Sequence, residues 1–181
     1  IAEYYNEQFG TNINHNQILV TTGASGGLLL AAQTLLNPGD EVLMPDPYYP
    51  ANYNFILTAG ASTKLIPCTA NERFQLSAEK IKANWGPNTR AVLIASPSNP
   101  TGTSITEEEL SKICKTVKSL GGIVIIDEIY LGLTYDHQPK SALAIDPDVI
   151  VINSFSKYFN MTGWRLGWII APENLIPAFE K

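Results

Sequence analysis

Along this chain, short apolar runs alternate with segments whose apolar residues recur at helical spacing. Residues 17–21, 41–44, 62–66, 91–95, 122–127, 149–153 and 166–170 read as strands. Several are continuous apolar runs, as in Ile123-Val124-Ile125-Ile126, the pattern of strands covered on both faces. Between them, residues 25–36 read as a helix that stops at Asn37-Pro38-Gly39, a strong breaker group. Thr106, followed three residues later by Glu109, is a capping-box signature ahead of a helix over 110–120 that ends at Gly121-Gly122. A shorter helix is predicted over 77–84. Both ends carry helical patterns, with Ile1, Tyr4, Tyr5 and Phe9 at one and a run from near Glu173 at the other. The alternation predicts an α/β fold in which helices sandwich a mostly parallel, mixed sheet.

In such sheets ligands collect at the carboxyl ends of the strands, and the notable polar residues all follow apolar runs. The Gly23–Gly27 turn follows the first strand, and Asn99 follows 91–95. Asp127 closes 122–127, while Ser154, Ser156 and Lys157 follow 149–153. Four strand ends are thus expected to deliver polar chemistry to one rim.

Composition narrows the function classes. The 181 residues suit one domain, and a hydrophobic fraction of 45% with 16% charged residues suits a packed core. Twelve basic against 17 acidic residues give a net charge of -5, and no Lys or Arg cluster marks a nucleic-acid or membrane surface. The apolar stretches are too short to span a bilayer. Cys68 and Cys114 lack metal-ligand spacing and read as reduced thiols of a cytoplasmic protein. His15 and His137 belong to no motif and read as surface or loop residues. A helical pattern already running at Ile1, and another still running at Lys181, lead to the expectation of a piece of a longer protein.

Five segments carry candidate chemistry. In Thr22-Gly23-Ala24-Ser25-Gly26-Gly27, small residues and free helix-start amides suit an anion, and Ser25 adds a hydroxyl. Alone this is also what a tight strand-to-helix turn looks like. Pro45-Asp46-Pro47-Tyr48-Tyr49-Pro50 reads as a rigid loop holding an aromatic platform, or simply as packed tyrosines. Ser98-Asn99-Pro100-Thr101-Gly102 is either ordinary loop chemistry or a strand-end site. Asp127-Glu128-Ile129-Tyr130 places a carboxylate at the end of a buried strand, where it needs a partner: a protonated ring nitrogen, or simply a salt bridge or the amides of a helix cap. Ser154-Phe155-Ser156-Lys157 offers an amine for imine chemistry, and Arg165 just beyond suits bidentate phosphate binding.

In this order the five segments resemble the class I/II aminotransferases of the pyridoxal-phosphate fold type I, the aspartate and aromatic enzymes in particular. The resemblance covers essentially the whole chain and corresponds to the large, cofactor-binding domain. It implies pyridoxal 5'-phosphate as cofactor, with Lys157 as the Schiff-base lysine that shuttles the proton between substrate α-carbon and cofactor. It implies Asp127 as the partner of the pyridine nitrogen, Tyr130 and Asn99 as partners of the phenolic oxygen, and Tyr49 as the stacking aromatic. Ala24, Ser25, Ser154, Ser156 and Arg165 match the phosphate cup. The activity implied is ping-pong transfer of an amino group between an amino acid and a 2-oxo acid, in a cytoplasmic homodimer. The family's N-terminal arm and its small domain, which carries the arginine for the substrate carboxylate, are expected outside these residues. The piece alone is therefore expected to be inactive.

Other readings of the same residues stay open. Carbon–sulfur lyases and amino-acid decarboxylases of this fold type present the same lysine site, and some bacterial regulators carry a non-catalytic domain of this shape. A dinucleotide-binding domain is disfavoured, since Gly23-Ala24-Ser25-Gly26 lacks that fingerprint and Lys157 and Asp127 would go unused.

Overall fold

The computed structural model describes residues 1–135 and 138–181, so His137 lies outside the described residues, while His15 is exposed. A single mixed sheet organises the chain. It is built from β1 (Ile18–Thr21), β2 (Glu41–Asp46), β3 (Ser62–Pro67), β4 (Thr89–Ala95), β5 (Ile123–Asp127), β6 (Ile150–Ser154) and β7 (Gly167–Ile170), in the order β1-β7-β6-β5-β4-β2-β3. The five strands from β3 to β6 in that order are parallel, and β7 runs against both its neighbours, β6 and β1. Every predicted strand forms. β2 extends two residues beyond its predicted end, through Pro45 and Asp46.

Pleating sorts the side chains of each strand to two faces. Leu43, Val92, Ile94, Val124, Ile126, Val151, Trp168 and Ile170 face α1 (Ala2–Phe9), α4 (Ala78–Asn84) and α5 (Glu107–Ser119). Val42, Met44, Ala91, Leu93, Ile125, Ile150, Ile152 and Ile169 face α2 (Gly23–Leu35), α3 (Pro50–Thr58) and α6 (Ile176–Phe179). This is the predicted sandwich. Among the described residues no helix is long and apolar enough to cross a membrane.

The helices depart from the sequence pattern in three informative places. α2 begins at Gly23, so the predicted glycine turn is the helix's own first turn. α3 was not predicted. Only Asn52 and Ile56 are buried along it, too narrow an apolar stripe to give a periodic signal, and its one cue is Pro50 at the first helical position. The capping box of α5 is half formed. The Thr106 hydroxyl accepts the Glu109 N–H at 3.3 Å, but the Glu109 carboxylate accepts the Ala78 N–H at 2.7 Å instead of returning to Thr106. A tertiary bond tying the start of α4 to α5 has displaced the local one.

One backbone contact places the start of α2. Gly167 pairs with Thr21 of β1 and Ser154 of β6, on the sheet face beneath α2. A Cβ there would lie 2.5 Å from the Gly23 carbonyl carbon, 2.7 Å from the Ala24 nitrogen and 2.8 Å from the Asn153 oxygen. All three are backbone atoms without freedom to move aside. Gly167→Ala is expected to cost about 1–3 kcal/mol, lowering Tm by roughly 3–10 °C in a thermal melt. Gly163→Ala, whose Cβ would meet nothing within 4 Å, should leave Tm within a degree or two.

Candidate active site

The carboxyl ends of β2, β4, β5 and β6, the start of β7 and the N-termini of α2 and α3 surround a cavity of about 350 Å³. Ala24, Ser25, Tyr49, Asn99, Asp127, Tyr130, Ser156, Lys157 and Arg165 all line it. Because β7 is antiparallel, its beginning reaches the rim where the parallel strands end, and this brings Arg165 to the site. Ser154 sits beneath the lining at 1% exposure, its Oγ accepting the Ser156 N–H at 3.1 Å. That leaves the Ser154 hydroxyl proton to be donated elsewhere.

One end of the cavity is built for an anion. Thr22 makes no side-chain capping bond to α2, so the first amides of the helix lack intrahelical acceptors. The Arg165 guanidinium lies over Gly23, where a Cβ would collide with it. Gly23 itself has φ 76°, a second reason for glycine. Arg165 is held in the left-handed region at φ 51°, with Nη1 donating to the Thr162 carbonyl at 3.0 Å. Free amides, the helix dipole and a planar cation together favour a phosphate or carboxylate.

The other end is carboxylate and phenol. Asp127 is 8% exposed, and its Oδ1 accepts the Ile129 N–H at 3.0 Å. Burial raises its pKa to about 6, with the Ile129 bond pulling the other way. The Tyr130 phenol is raised first by burial and then by the Asp127 charge, while the Asn99 side chain lowers it. The Lys157 ammonium stands at the mouth, 5.9 Å from the Tyr130 ring centroid. This geometry can hold a planar, anionic, partly cationic ring with an amine at its edge.

Several lining residues escaped the sequence reading. Asn52 on α3 is 5% exposed, and its Oδ1 has no partner among the described residues. Thr162 also lines the cavity and binds the Ser156 carbonyl through its hydroxyl at 2.9 Å. Glu128 lies on the opposite sheet face from Asp127. It accepts the Ala142 N–H at 2.7 Å and the Ser141 hydroxyl at 2.9 Å. Burial raises its pKa to about 7, against the pull of these bonds. Recognising α3 from its N-terminal proline would have found Asn52. No local signal marks the partners of Glu128.

Both buried carboxyls have folded pKa values above their unfolded ones, 3.8 for Asp127 and 4.5 for Glu128. The stability from burying them neutral is therefore fully present below about pH 4 and lost as pH rises through 6 to 7. Asp127→Asn, neutral at every pH, should melt close to wild type at pH 4 and above it at pH 8. A shift of roughly two units sets an upper bound of about 3 kcal/mol. Melts of cofactor-free protein at the two pH values check this, and a pH-independent gap would contradict the assignment.

Comparison with known proteins bears on the whole chain. Residues 1–181 match the family described as aminotransferase class I and II. The chain is 41% identical to the valine–pyruvate aminotransferase of Mycobacterium tuberculosis, covering 99% of this chain and 47% of that protein. It is 42% identical to a probable N-acetyl-LL-diaminopimelate aminotransferase of Bacillus subtilis, over 92% of this chain and 42% of that protein. A crystal structure of an aminotransferase from Mycobacterium tuberculosis superposes with a TM-score of 0.93 at 40% identity, over 99% of this chain and 46% of that one. An aromatic aminotransferase from Pyrococcus horikoshii OT3 gives 0.92 at 34% identity, over 98% and 49%. The chain thus spans about half the length of the relatives it matches. With the sheet order, the strand-end cavity and these likenesses in agreement, the chain belongs to the class I and II aminotransferase family.

Proposed function

We propose that this chain forms the pyridoxal 5'-phosphate site of an aminotransferase that moves an amino group between an amino acid and a 2-oxo acid. The observation carrying this reading is the joint placement of Lys157, Asp127 and Arg165 around one cavity beside the uncapped start of α2. The residues fit the cofactor. Arg165 and the α2 amides complement a phosphate, with Ser25, Ser156 and Ser154 as hydroxyl donors. The single hydrogen bond to the Asp127 carboxyl among the described residues leaves acceptor capacity for a ring N–H. A homodimer in the cytoplasm is part of the same proposal, as is the expectation that these residues alone do not transaminate.

When bound, the cofactor supplies an electron sink for the substrate α-carbon. The chain's own residues do the rest. Asp127 holds the proton on the ring nitrogen, and the positive charge there favours its ionised form over the neutral form that burial alone promotes. Tyr130 and Asn99 would hold the cofactor's phenolic oxygen, and Tyr49 would supply an aromatic surface for its ring. Lys157 would hold the cofactor by its amine, as an imine with the aldehyde formed with loss of water. The free Lys157 amine would act as general base for the substrate α-proton and, once protonated, as general acid.

The named relatives are aminotransferases, which favours transamination over lyase or decarboxylase chemistry and over a non-catalytic role. The test is direct. Full-length protein mixed with pyridoxal 5'-phosphate should develop an imine absorbance band that Lys157→Ala lacks, and borohydride should place the label on Lys157. Transamination by Lys157→Ala should fall by at least about 10³-fold. No band and no label in folded full-length protein would overturn the enzyme reading.

A further inference from the structure

A line of buried polar groups runs behind the cavity, through a core that is otherwise apolar and aromatic. Tyr5 of α1 is fully buried, packed edge-on against Phe9 at 5.2 Å and Trp168 at 6.2 Å between ring centroids. Its hydroxyl accepts from the Asn153 amide at 2.9 Å. Asn153 Oδ1 accepts the Ser154 N–H at 2.7 Å, and Ser154 Oγ accepts the Ser156 N–H at 3.1 Å. At the far end the Tyr5 hydroxyl donates to Glu128 Oε2 at 3.5 Å, the longest bond of the line.

Donor and acceptor bookkeeping gives this line one direction. Asn153 has two different faces, amide and carbonyl, and the Ser154 N–H requires the carbonyl on its side. The amide must then find an acceptor, which is the Tyr5 oxygen. That leaves Tyr5 its own proton to give, and Glu128 is a pure acceptor when ionised. Ser141 and the Ala142 N–H hold the carboxyl in place from the other side. Each bond points its proton towards Glu128, so the bonds polarise one another in the same sense. The line ends at Ser156, next to Lys157. Strand alternation makes this possible, because Asn153 faces Tyr5 while Ser154 faces the cavity side.

We propose that Tyr5 and Glu128 are positioning residues for the Ser154–Lys157 turn: the carboxyl orients Tyr5, Tyr5 orients Asn153, and Asn153 sets the turn that presents Ser156 and Lys157. Neither residue touches the cavity contents; both act through Asn153. The consequence for the cofactor rests on the functional reading above, whereas the effect on the turn does not.

Tyr5→Phe keeps the ring and its packing and removes only the hydroxyl. Glu128→Gln retains one acceptor oxygen for two sets of donors, so its amide nitrogen must face either Tyr5 or the Ala142 N–H. Both variants and wild type are compared first without cofactor, by hydrogen exchange at the Ser154 and Ser156 amides against the Ile125 and Ile152 amides of the sheet. Exchange at the two serines should rise by about tenfold in each variant, with the sheet amides within about twofold. Titration with pyridoxal 5'-phosphate should then show a several-fold weaker Kd and an altered visible circular dichroism of the bound cofactor. Unchanged exchange at the serines overturns the proposal. So does an equal rise at serines and sheet, which would make Tyr5 and Glu128 packing residues only. A selective rise in exchange at the two serines, in variants of a protein that binds no cofactor even as wild type, would support the positioning line and remove the functional reading.

Discussion

A sheet buried on both faces leaves its polar groups few ways out. In β4, β5 and β6 the side chains above and below are packed against helices, and a polar group there must find an internal partner or remain unsatisfied. Polar chemistry is therefore confined to the strand ends, where the backbone turns away and a cavity opens. The whole site follows from that confinement. Asp127 closes β5, Ser154 closes β6, and the α2 amides sit one residue beyond β1.

Within the rim, the close approach of β7 to α2 decides where the helix-start amides and Arg165 meet. Gly167 lets the backbone of Gly23 and Ala24 settle directly on the sheet. The turn just before it carries Arg165 across the same helix start. Two separate chain segments, some 140 residues apart in sequence, thus bring the helix-start amides and the guanidinium to one end of the cavity. A side chain at either glycine would push them apart.

Adjacent carboxyls at the end of β5 illustrate how a sheet divides labour. Asp127 faces the cavity with acceptor capacity to spare, whereas Glu128, one residue on, faces the aromatic core and is held by Ser141, Ala142 and Tyr5. Burial raises both pKa values, but the two residues answer to different partners. The Asp127 carboxyl has only the Ile129 N–H as a partner among the described residues. The partners of Glu128 are built into the fold, and they reach the lysine turn from behind.

The sequence by itself determined the strands, most of the helices and the gathering of Lys157, Asp127, Asn99 and the α2 turn at strand ends. These follow from periodicity and breaker residues, which act between near neighbours and are legible in a short window. The family likeness of the ordered motifs supplied roles that no single motif carried. Only the tertiary structure decided the strand order and the antiparallel turn of β7 that delivers Arg165. It also decided the diversion of Glu109 from its cap to Ala78, the helix that brings Asn52 to the cavity, and the line from Glu128 to Ser156. Each of these joins groups far apart in the chain. Their formation depends on which surfaces the sheet brings face to face, and local pattern carries no information about that.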